Sequence, residues 1–248
     1  RIVAIGECMV EIAPVATEGQ FRLGYAGDTL NTAWYLRRLL GADDQIDYFT
    51  VVGIDAISDK MLRFLQQAGI GTDCILRRND KSVGLYMIQL QAGERSFTYW
   101  RSDSAARSLA ADLVPLQAAL DGADLAYFSG ITLAILPPAD RIGLLTVLRQ
   151  FRSSGGIVVF DPNLRPKLWA SSDEMTQAVM QAATVSDIAL PSYDDEAHWF
   201  GDGSAEATLQ RYVAAQVRCC IIKNGSGRIH ACDGDQRIIC DPIQDVTL

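Results

Sequence analysis

The sequence predicts an α/β fold with a mostly parallel sheet, helices on both of its faces and a small separate β-sheet. Three observations predict this class. Short β-branched runs alternate with longer amphipathic stretches, which is typical of a parallel sheet. Residues 84–101 interrupt this alternation with the pattern of a β-hairpin. The composition, 49% hydrophobic and 21% charged in 248 residues, is globular and excludes a disordered or collagen-like chain.

The elements follow from local patterns along the chain. Short buried runs predict parallel strands over 2–5, 48–52, 125–129, 157–160, 188–190 and 219–222. One-sided apolar patterns predict helices over 29–40, 58–67, 139–153, 172–183 and 205–217. Gly41 and Gly69 are stop signals for the first two helices. Strands over 10–15, 20–23, 84–90 and 95–101 are expected to form the small sheet.

Charge, hydropathy and cysteine usage exclude several classes of protein. With a net charge of −8 and a pI of about 4.8, the chain lacks the excess of basic residues that is typical of a nucleic-acid-binding protein. The longest apolar stretch, 125–136, is too short to cross a bilayer, so no membrane partner is expected. The six cysteines contain no C-x-x-C pair, which favours buried free thiols and a reduced, cytoplasmic compartment.

The second strand of the hairpin carries a candidate binding surface. Phe97, Tyr99 and Arg101 share one face, because side chains alternate along a strand. An aromatic ring, a phenol and a guanidinium together suit a sugar acid. An edge strand with a solvated arginine is the alternative.

The segment 24–31 enters the first helix through two glycines. Glycine lets the backbone approach a ligand closely, and Asp28 or Thr29 is expected to cap the helix. Asn31 can offer a donor and an acceptor to hydroxyl groups. The alternative is an ordinary capped helix start.

Asp161, Asn163 and Arg165 follow a buried strand. In open parallel sheets the ligand cleft lies beyond the carboxyl ends of the strands, so these residues are expected to line it. An arginine there can hold a carboxylate or a phosphate through two hydrogen bonds. A proline-bounded loop with a surface arginine is the alternative.

Two further segments follow the last two predicted strands. Lys223 leads into a turn with Gly225 and Gly227, whose backbone N–H groups can bind an anion. A plain hairpin turn is the alternative. The acidic segment 191–196 begins a helix, where it favours the helix dipole; it can also orient hydrated magnesium.

The order of these segments resembles the PfkB, or ribokinase-like, sugar kinases. The resemblance runs through 6–11, 27–31, 84–86, 99–101, 161–166 with Leu168-Trp169, and 223–225. Within that family it is most similar to the branch that phosphorylates 2-dehydro-3-deoxygluconate. It implies a ribokinase-like three-layer sandwich, one kinase domain over 1–248, and a β-sheet lid formed by about 10–25 and 75–103.

The resemblance also implies an activity and its residues. ATP, with Mg²⁺, would phosphorylate the terminal hydroxyl of 2-dehydro-3-deoxy-D-gluconate, giving the 6-phosphate. Arg165 would act in catalysis. The implied substrate-binding residues are Gly27, Asp28, Thr29, Leu30, Asn31, Tyr86, Tyr99, Trp100, Arg101 and Arg165. The implied nucleotide-binding residues are Asn163, Leu164, Arg165, Ser192, Lys223, Gly225, Ser226 and Gly227. Independently of the resemblance, a homodimer or higher oligomer formed through the lid is expected, because a hairpin with unpaired edges can pair with its copy.

Two departures from the family pattern leave other functions open. Ser192-Tyr193-Asp194-Asp195 stands where many relatives carry N-x-x-E, and no residues are assigned to a metal. The family's Gly-Ala-Gly-Asp segment is absent, so its basic aspartate is expected beyond the end of this chain; Asp245 has no glycine-rich partner. Sugar-acid binding without turnover is therefore expected. The alternatives are a kinase of a neutral sugar such as ribose or fructose, and a non-catalytic sugar-binding module. Arg101 and Arg165 argue for an acid, because a neutral sugar would leave buried guanidinium groups unpaired.

Overall fold

The computed structural model describes residues 1–17, 19–91 and 94–242. The chain forms two compact units. The first contains Arg1–Tyr127 and Ile135–Leu144, and the second contains Phe128–Ala134 and Leu145–Leu248. The single kinase domain over 1–248 stays a prediction.

The first unit consists mainly of short strands. Its strands are β1 (Ile2–Ile5), β2 (Met9–Pro14), β3 (Phe21–Ala26), β4 (Ile46–Phe49), β5 (Val51–Gly53), β6 (Leu76–Arg78), β7 (Leu85–Gln91) and β8 (Glu94–Trp100). Its helices are α1 (Asp28–Leu39), α2 (Ala56–Gln67) and α3 (Leu113–Leu120), with a 3₁₀ helix over Ala105–Ser108. Strand β9 (Leu125–Ser129), helix α4 (Gly130–Ile135) and helix α5 (Pro138–Ser153) follow in the chain.

Strands β1 and β4 run parallel, with Ile2 opposite Ile46 and Ile5 opposite Phe49. Most of their side chains are buried, and Ile5 and Phe49 are fully buried. Parallel strands covered on both faces read as continuous apolar runs, and this is why the sequence pattern located β1 correctly.

The single strand predicted over 48–52 is wrong. The structure places β4 beside β1 and β5 beside β6, in different sheets, with Thr50 between them. Threonine favours strands, and the run around it is apolar. The local pattern therefore carried no sign that the chain changes sheets at this residue.

The small predicted sheet is present, with strand order β3-β2-β7-β8. Strands β2 and β3 are antiparallel, β2 and β7 are parallel, and β7 and β8 form the predicted antiparallel hairpin. The hairpin residues 92 and 93 lie outside the described residues. Strand β6 (Leu76–Arg78) pairs with β5 instead, so the small sheet is narrower than the predicted lid region 75–103.

The two first helices begin differently. Gly27, without a side-chain cap, occupies the position before α1, so neither Asp28 nor Thr29 caps this helix as predicted. Asp55 caps α2, with its Oδ1 accepting from the backbone N–H of Ile57 at 3.1 Å and of Ser58 at 2.9 Å. These bonds satisfy donors that a helix start leaves free.

The second unit alternates strands with helices. After the end of β9 and α4 its elements are β10 (Ile157–Asp161), α6 (Ser172–Ala183), β11 (Ile188–Ala189), α7 (Tyr193–Phe200), α8 (Ala205–Ala214), β12 (Cys219–Ile222), β13 (Ile229–Asp233) and β14 (Gln236–Cys240). A 3₁₀ helix covers Pro166–Leu168. Helix α8 ends at Ala214, before the predicted end at residue 217. Gln216, just beyond this end, adopts a left-handed φ of 68°.

Strands β10, β11 and β12 are parallel neighbours in that order. Strands β13 and β14 extend this set antiparallel, so the turn after β12 opens a hairpin. Phe160, Ala189 and Ile222 are fully buried in the three parallel strands. The predicted α/β class, with mostly parallel main strands and a separate small sheet, is confirmed.

All six cysteines are free, which confirms the prediction of free thiols. Their burial is less uniform than predicted. Cys8, Cys220 and Cys232 are buried, Cys74 and Cys219 are intermediate, and Cys240 is exposed. Within 1–17, 19–91 and 94–242, no helix has the length and apolar character needed to cross a membrane.

Candidate functional site

Gly27 joins β3 to α1 in the first unit. A Cβ at this position would lie 2.2 Å from the backbone oxygen of Glu7, so the two backbones are too close for any residue but glycine. The Asn31 N–H then donates to the Gly27 carbonyl at 2.8 Å, closing the first helical turn. The structure thus explains Gly27 by a close approach of two chain segments.

The predicted substrate residues 28–31 divide by burial. Thr29 is fully buried, and its hydroxyl lies 2.8 Å from the Tyr48 hydroxyl. Leu30 is 2% exposed and packs in the core. Asn31 is exposed. The side chains of Thr29 and Leu30 are therefore in positions that stabilise α1, whereas Asn31 can reach a ligand.

Three aromatic rings form one face of the small sheet. Tyr86 pairs with Tyr99 across β7 and β8, with ring centroids 5.8 Å apart. Phe97 lies 6.1 Å from Tyr86 and 6.2 Å from Tyr99. Tyr99 is half exposed, whereas Tyr86 is buried. The structure confirms the shared face predicted for Phe97 and Tyr99 and adds Tyr86 to it.

The hydroxyl of Tyr86 donates a hydrogen bond to the carboxylate of Glu11 on β2. Burial, followed by the hydrogen bond to Glu11, raises the pKa of Tyr86, which holds the phenol protonated. Trp100 follows Tyr99 directly in β8 and therefore points to the opposite face, where it is 55% exposed. The structure does not bring Trp100 together with the two tyrosines.

Arg101 follows β8 and forms a buried ion pair with Glu7, through Nη2 and Oε2. The side chains are 10% and 1% exposed. Burial raises the pKa of Glu7, and the neighbouring Arg101 guanidinium opposes this rise. The Arg101 guanidinium carbon also lies 6.0 Å from the Tyr99 ring centroid.

This pair corrects one argument made from the sequence. Arg101 was expected to need a substrate carboxylate, because a buried guanidinium is costly without an opposite charge. Glu7 supplies that charge within the protein. Arg101 therefore does not by itself exclude a neutral sugar.

In the second unit, Asp161 ends β10 and binds Lys223, which follows β12. The Lys223 Nζ lies 2.7 Å from Asp161 Oδ2. Asp161 Oδ1 accepts from the Asn163 N–H at 3.1 Å, and Asn163 has a φ of 35°. Asp161 and Lys223 therefore come together at the carboxyl ends of parallel strands, a pairing that the sequence analysis did not predict.

The residues after Asn163 differ in exposure. Leu164 is 3% exposed, so its side chain is in the core rather than in a position to contact a nucleotide. Arg165 is exposed, and its Nη1 donates to the Leu164 carbonyl at 2.6 Å. The Arg165 guanidinium is therefore in a position to bind an anionic group.

Ser192 lies beside Lys223 through a parallel bridge. The Lys223 N–H donates to the Pro191 carbonyl at 2.9 Å, and the Tyr193 N–H donates to the Lys223 carbonyl at 2.8 Å. The structure thus brings two predicted nucleotide residues, Ser192 and Lys223, together at the start of α7.

The glycine turn that follows is tightly folded. Gly225 has a left-handed φ of 48°. The Gly227 N–H donates to the Asn224 carbonyl at 2.6 Å, and a Cβ on Gly227 would lie 2.5 Å from Asn224 Nδ2. Ser226 lies between the two glycines. Glycine at 225 is favoured by its backbone conformation, since a Cβ there would meet no other atom within 4 Å.

The sequence analysis missed two residues that bind predicted site residues. Glu7 pairs with Arg101, and Glu11 accepts a hydrogen bond from Tyr86. A signal for Glu11 was present, because it is an acidic residue between apolar neighbours in a strand. No such pattern surrounds Glu7, and its partner Arg101 is 94 residues away. Residues 243–248, which include Asp245, lie outside the described residues.

A model of the pfkB family of carbohydrate kinases matches residues 1–248. The chain belongs to this family. A 2-dehydro-3-deoxygluconokinase from Dickeya dadantii strain 3937 is 42% identical over 232 residues, covering 91% of this chain and 74% of that protein. One from Haemophilus influenzae is 40% identical over 231 residues, covering 91% of this chain and 73% of that protein.

Among solved structures, a fructokinase from Xylella fastidiosa with bound ATP matches the fold with a TM-score of 0.85. The two are 20% identical, and the match covers 100% of this chain and 75% of that one. This likeness confirms the predicted ribokinase-like fold of a pfkB kinase. The family prediction is confirmed by the matched family and by the curated relatives together.

Proposed function

We propose that this pfkB kinase transfers the γ-phosphoryl group of ATP to the terminal hydroxyl of 2-dehydro-3-deoxy-D-gluconate. The observation that carries the proposal is the identity of 42% and 40% to two curated 2-dehydro-3-deoxygluconokinases, each over 91% of the chain. The chain spans about three quarters of the length of these relatives, with 74% and 73% covered.

The first unit would supply sugar recognition. Asn31 offers an exposed amide at the start of α1, and Tyr99 offers a half-exposed phenol on the small sheet. We assign the substrate carboxylate to Arg101, which would reach it as one half of the ion pair with Glu7. Arg165, in the second unit, is exposed, and we propose that it binds an anionic group.

The second unit would hold the nucleotide. The residues present fit a polyphosphate, because Lys223 is 48% exposed and leads directly into an exposed turn at Gly225 and Ser226. Bound ATP supplies the phosphoryl group. Catalysis of its transfer depends on positioning and on charge stabilisation rather than on covalent chemistry. Lys223 supplies positive charge, and its partner Asp161 fixes where that charge lies.

We propose hydrated Mg²⁺ as the counterion of ATP. Asp194 and Asp195 lie in the first turn of α7, which begins directly after Ser192. In the part of the chain that the structure describes, no three His, Cys, Asp or Glu residues gather into a metal-binding group. Asp194 and Asp195 would therefore contact the metal ion through its bound water molecules.

An ADP-release assay with 2-dehydro-3-deoxygluconate, fructose and ribose tests the proposal on protein that carries the family's Gly-Ala-Gly-Asp segment, because this chain is expected to bind the sugar acid without turnover. We expect turnover with the sugar acid, its loss with a chelator of Mg²⁺, and at least tenfold lower kcat/KM for the neutral sugars. The Glu7–Arg101 pair favours a second candidate, a neutral-sugar kinase, because Arg101 is already neutralised. Preference for fructose or ribose would establish that candidate. Sugar-acid binding by calorimetry without ADP release would establish a non-catalytic binding module.

We also propose that the small sheet joins two copies of the chain, and that the enzyme acts in the cytoplasm. Its edge strands β3 and β8 expose Phe21, Leu23 and Trp100, each at least half exposed. The six free thiols suit a reducing compartment. Light scattering should give twice the chain mass of 27.1 kDa; a monomer mass would contradict the dimer.

A further inference from the structure

The Glu7–Arg101 pair lies where three segments of the first unit meet. Glu7 is in the connection between β1 and β2, Gly84 precedes β7, and Arg101 follows β8. A Cβ on Gly84 would lie 2.7 Å from Glu7 Oε1 and 3.2 Å from Arg101 Cβ. The absence of a side chain at Gly84 therefore makes room for the pair at the base of the small sheet.

The pair leaves one donor of the guanidinium unsatisfied in a buried location. Arg101 Nε is buried with no hydrogen-bond partner among the described residues. Glu7 engages Arg101 through Nη2, whereas a guanidinium has five N–H donors. An unsatisfied buried donor is unfavourable in free energy. Binding a further acceptor would therefore stabilise this guanidinium.

We propose that Glu7 is a positioning residue for sugar-acid recognition, acting through Arg101. This inference rests on the proposed function. An arginine side chain has many rotamers, and ordering it at the moment of binding weakens affinity. Glu7 orders the guanidinium before the substrate arrives and orients its remaining donors toward the substrate carboxylate. Two-point binding of a carboxylate depends on that orientation.

A double-mutant cycle tests whether Glu7 acts through Arg101. Calorimetry gives the Kd of 2-dehydro-3-deoxygluconate for the full chain and for Glu7→Gln, Arg101→Met and the double variant. We expect Glu7→Gln to raise this Kd about tenfold. In the Arg101→Met background the same change should alter it less than twofold, because no guanidinium remains to be positioned. The Kd for ATP should stay unchanged.

Glu196→Gln is the matched control for loss of a buried carboxylate. Glu196 in the second unit is fully buried, and it binds Arg211 at 2.6 Å and the Tyr212 hydroxyl at 3.0 Å. We expect this variant to lower Tm as Glu7→Gln does, while leaving the sugar-acid Kd within twofold of wild type. If Glu7→Gln does not fold, Glu7→Asp keeps the charge with a shorter reach and should raise the Kd about threefold.

The outcomes separate the two proposals. If the wild-type chain binds no sugar acid, the proposed substrate is wrong, and this inference is wrong with it. If the wild type binds the acid but the folded position-7 variants bind it equally well, the positioning role is refuted and the proposed function stands. Additive effects of Glu7→Gln and Arg101→Met would also refute it, because the residues would then act independently.

Discussion

The substitution Gly27→Ala tests the close approach between the start of α1 and the Glu7 backbone. Gly27 has a φ of 179°, which any residue adopts, so the cost of a side chain there is steric. The added Cβ would lie 2.2 Å from the Glu7 oxygen and 3.3 Å from the Cys8 Cα. These are backbone atoms, so no side-chain rotation can relieve the first contact, and the chain segments must separate.

Overpacking of this kind costs about 2–3 kcal/mol of unfolding free energy. For a chain of this size that loss corresponds to a Tm lower by about 4–12 °C. Urea unfolding followed by far-ultraviolet circular dichroism measures the free energy, and a thermal scan measures the Tm.

Gly24→Ala is the matched control, because it adds the same methyl group three residues earlier in β3. Its Cβ would meet only the Glu11 Oε1, at an ordinary 3.7 Å. We expect no loss of stability and a gain of about 0.5–1 kcal/mol, since glycine is unfavourable inside a strand. Equal stability of the two variants would refute the claim that Glu7 and Gly27 are in steric contact.

Three further predictions concern other parts of the chain. A thiol reagent should label the exposed Cys240 first and the buried Cys8, Cys220 and Cys232 only on unfolding, as mass spectrometry would detect; early labelling of Cys220 would contradict its burial. Lys223→Met should raise the Kd for ATP about tenfold by calorimetry, whereas Lys60→Met, at an exposed position of α2, should not; equal effects would indicate that Lys223 acts only through net charge. Asp55→Ala should cost about 1 kcal/mol by urea unfolding near neutral pH. Burial raises the pKa of Asp55, but hydrogen bonds from Ser58 outweigh it and keep this pKa below the ordinary 3.8. The loss of unfolding free energy in Asp55→Ala should therefore persist above this pH range and shrink as the pH falls through it. A cost independent of pH would refute the role of the charged cap.

Local patterns predicted the elements whose burial is continuous. The observed bounds of β1, β12 and α6 match the predicted 2–5, 219–222 and 172–183. Helix α3 was missed because Pro115 interrupts its pattern, although proline is tolerated in the first turn of a helix. Its sequence is also apolar around most of its surface, so it shows no one-sided face.

In the candidate site, too, local features could be predicted from the sequence, whereas contacts between distant residues could not. Gly225 was recognisable from sequence because the left-handed backbone of a turn requires glycine locally, whereas the requirement at Gly27 comes from the backbone of Glu7 in another segment. The burial of Thr29 was not, because it depends on Tyr48 from another strand. The Glu7–Arg101 pair joins residues far apart in the chain, and no periodicity within either segment encodes such a contact.

The Glu7–Arg101 pair has a consequence for attempts to alter substrate preference. A library that varies position 101 alone leaves a carboxylate 1% exposed without its counterion, which costs about 3–5 kcal/mol. Such a library would discard variants for instability before their sugar preference was tested. Varying positions 7 and 101 jointly, with a neutral residue at 7 whenever 101 is neutral, would keep the base of the small sheet foldable while the preference changes.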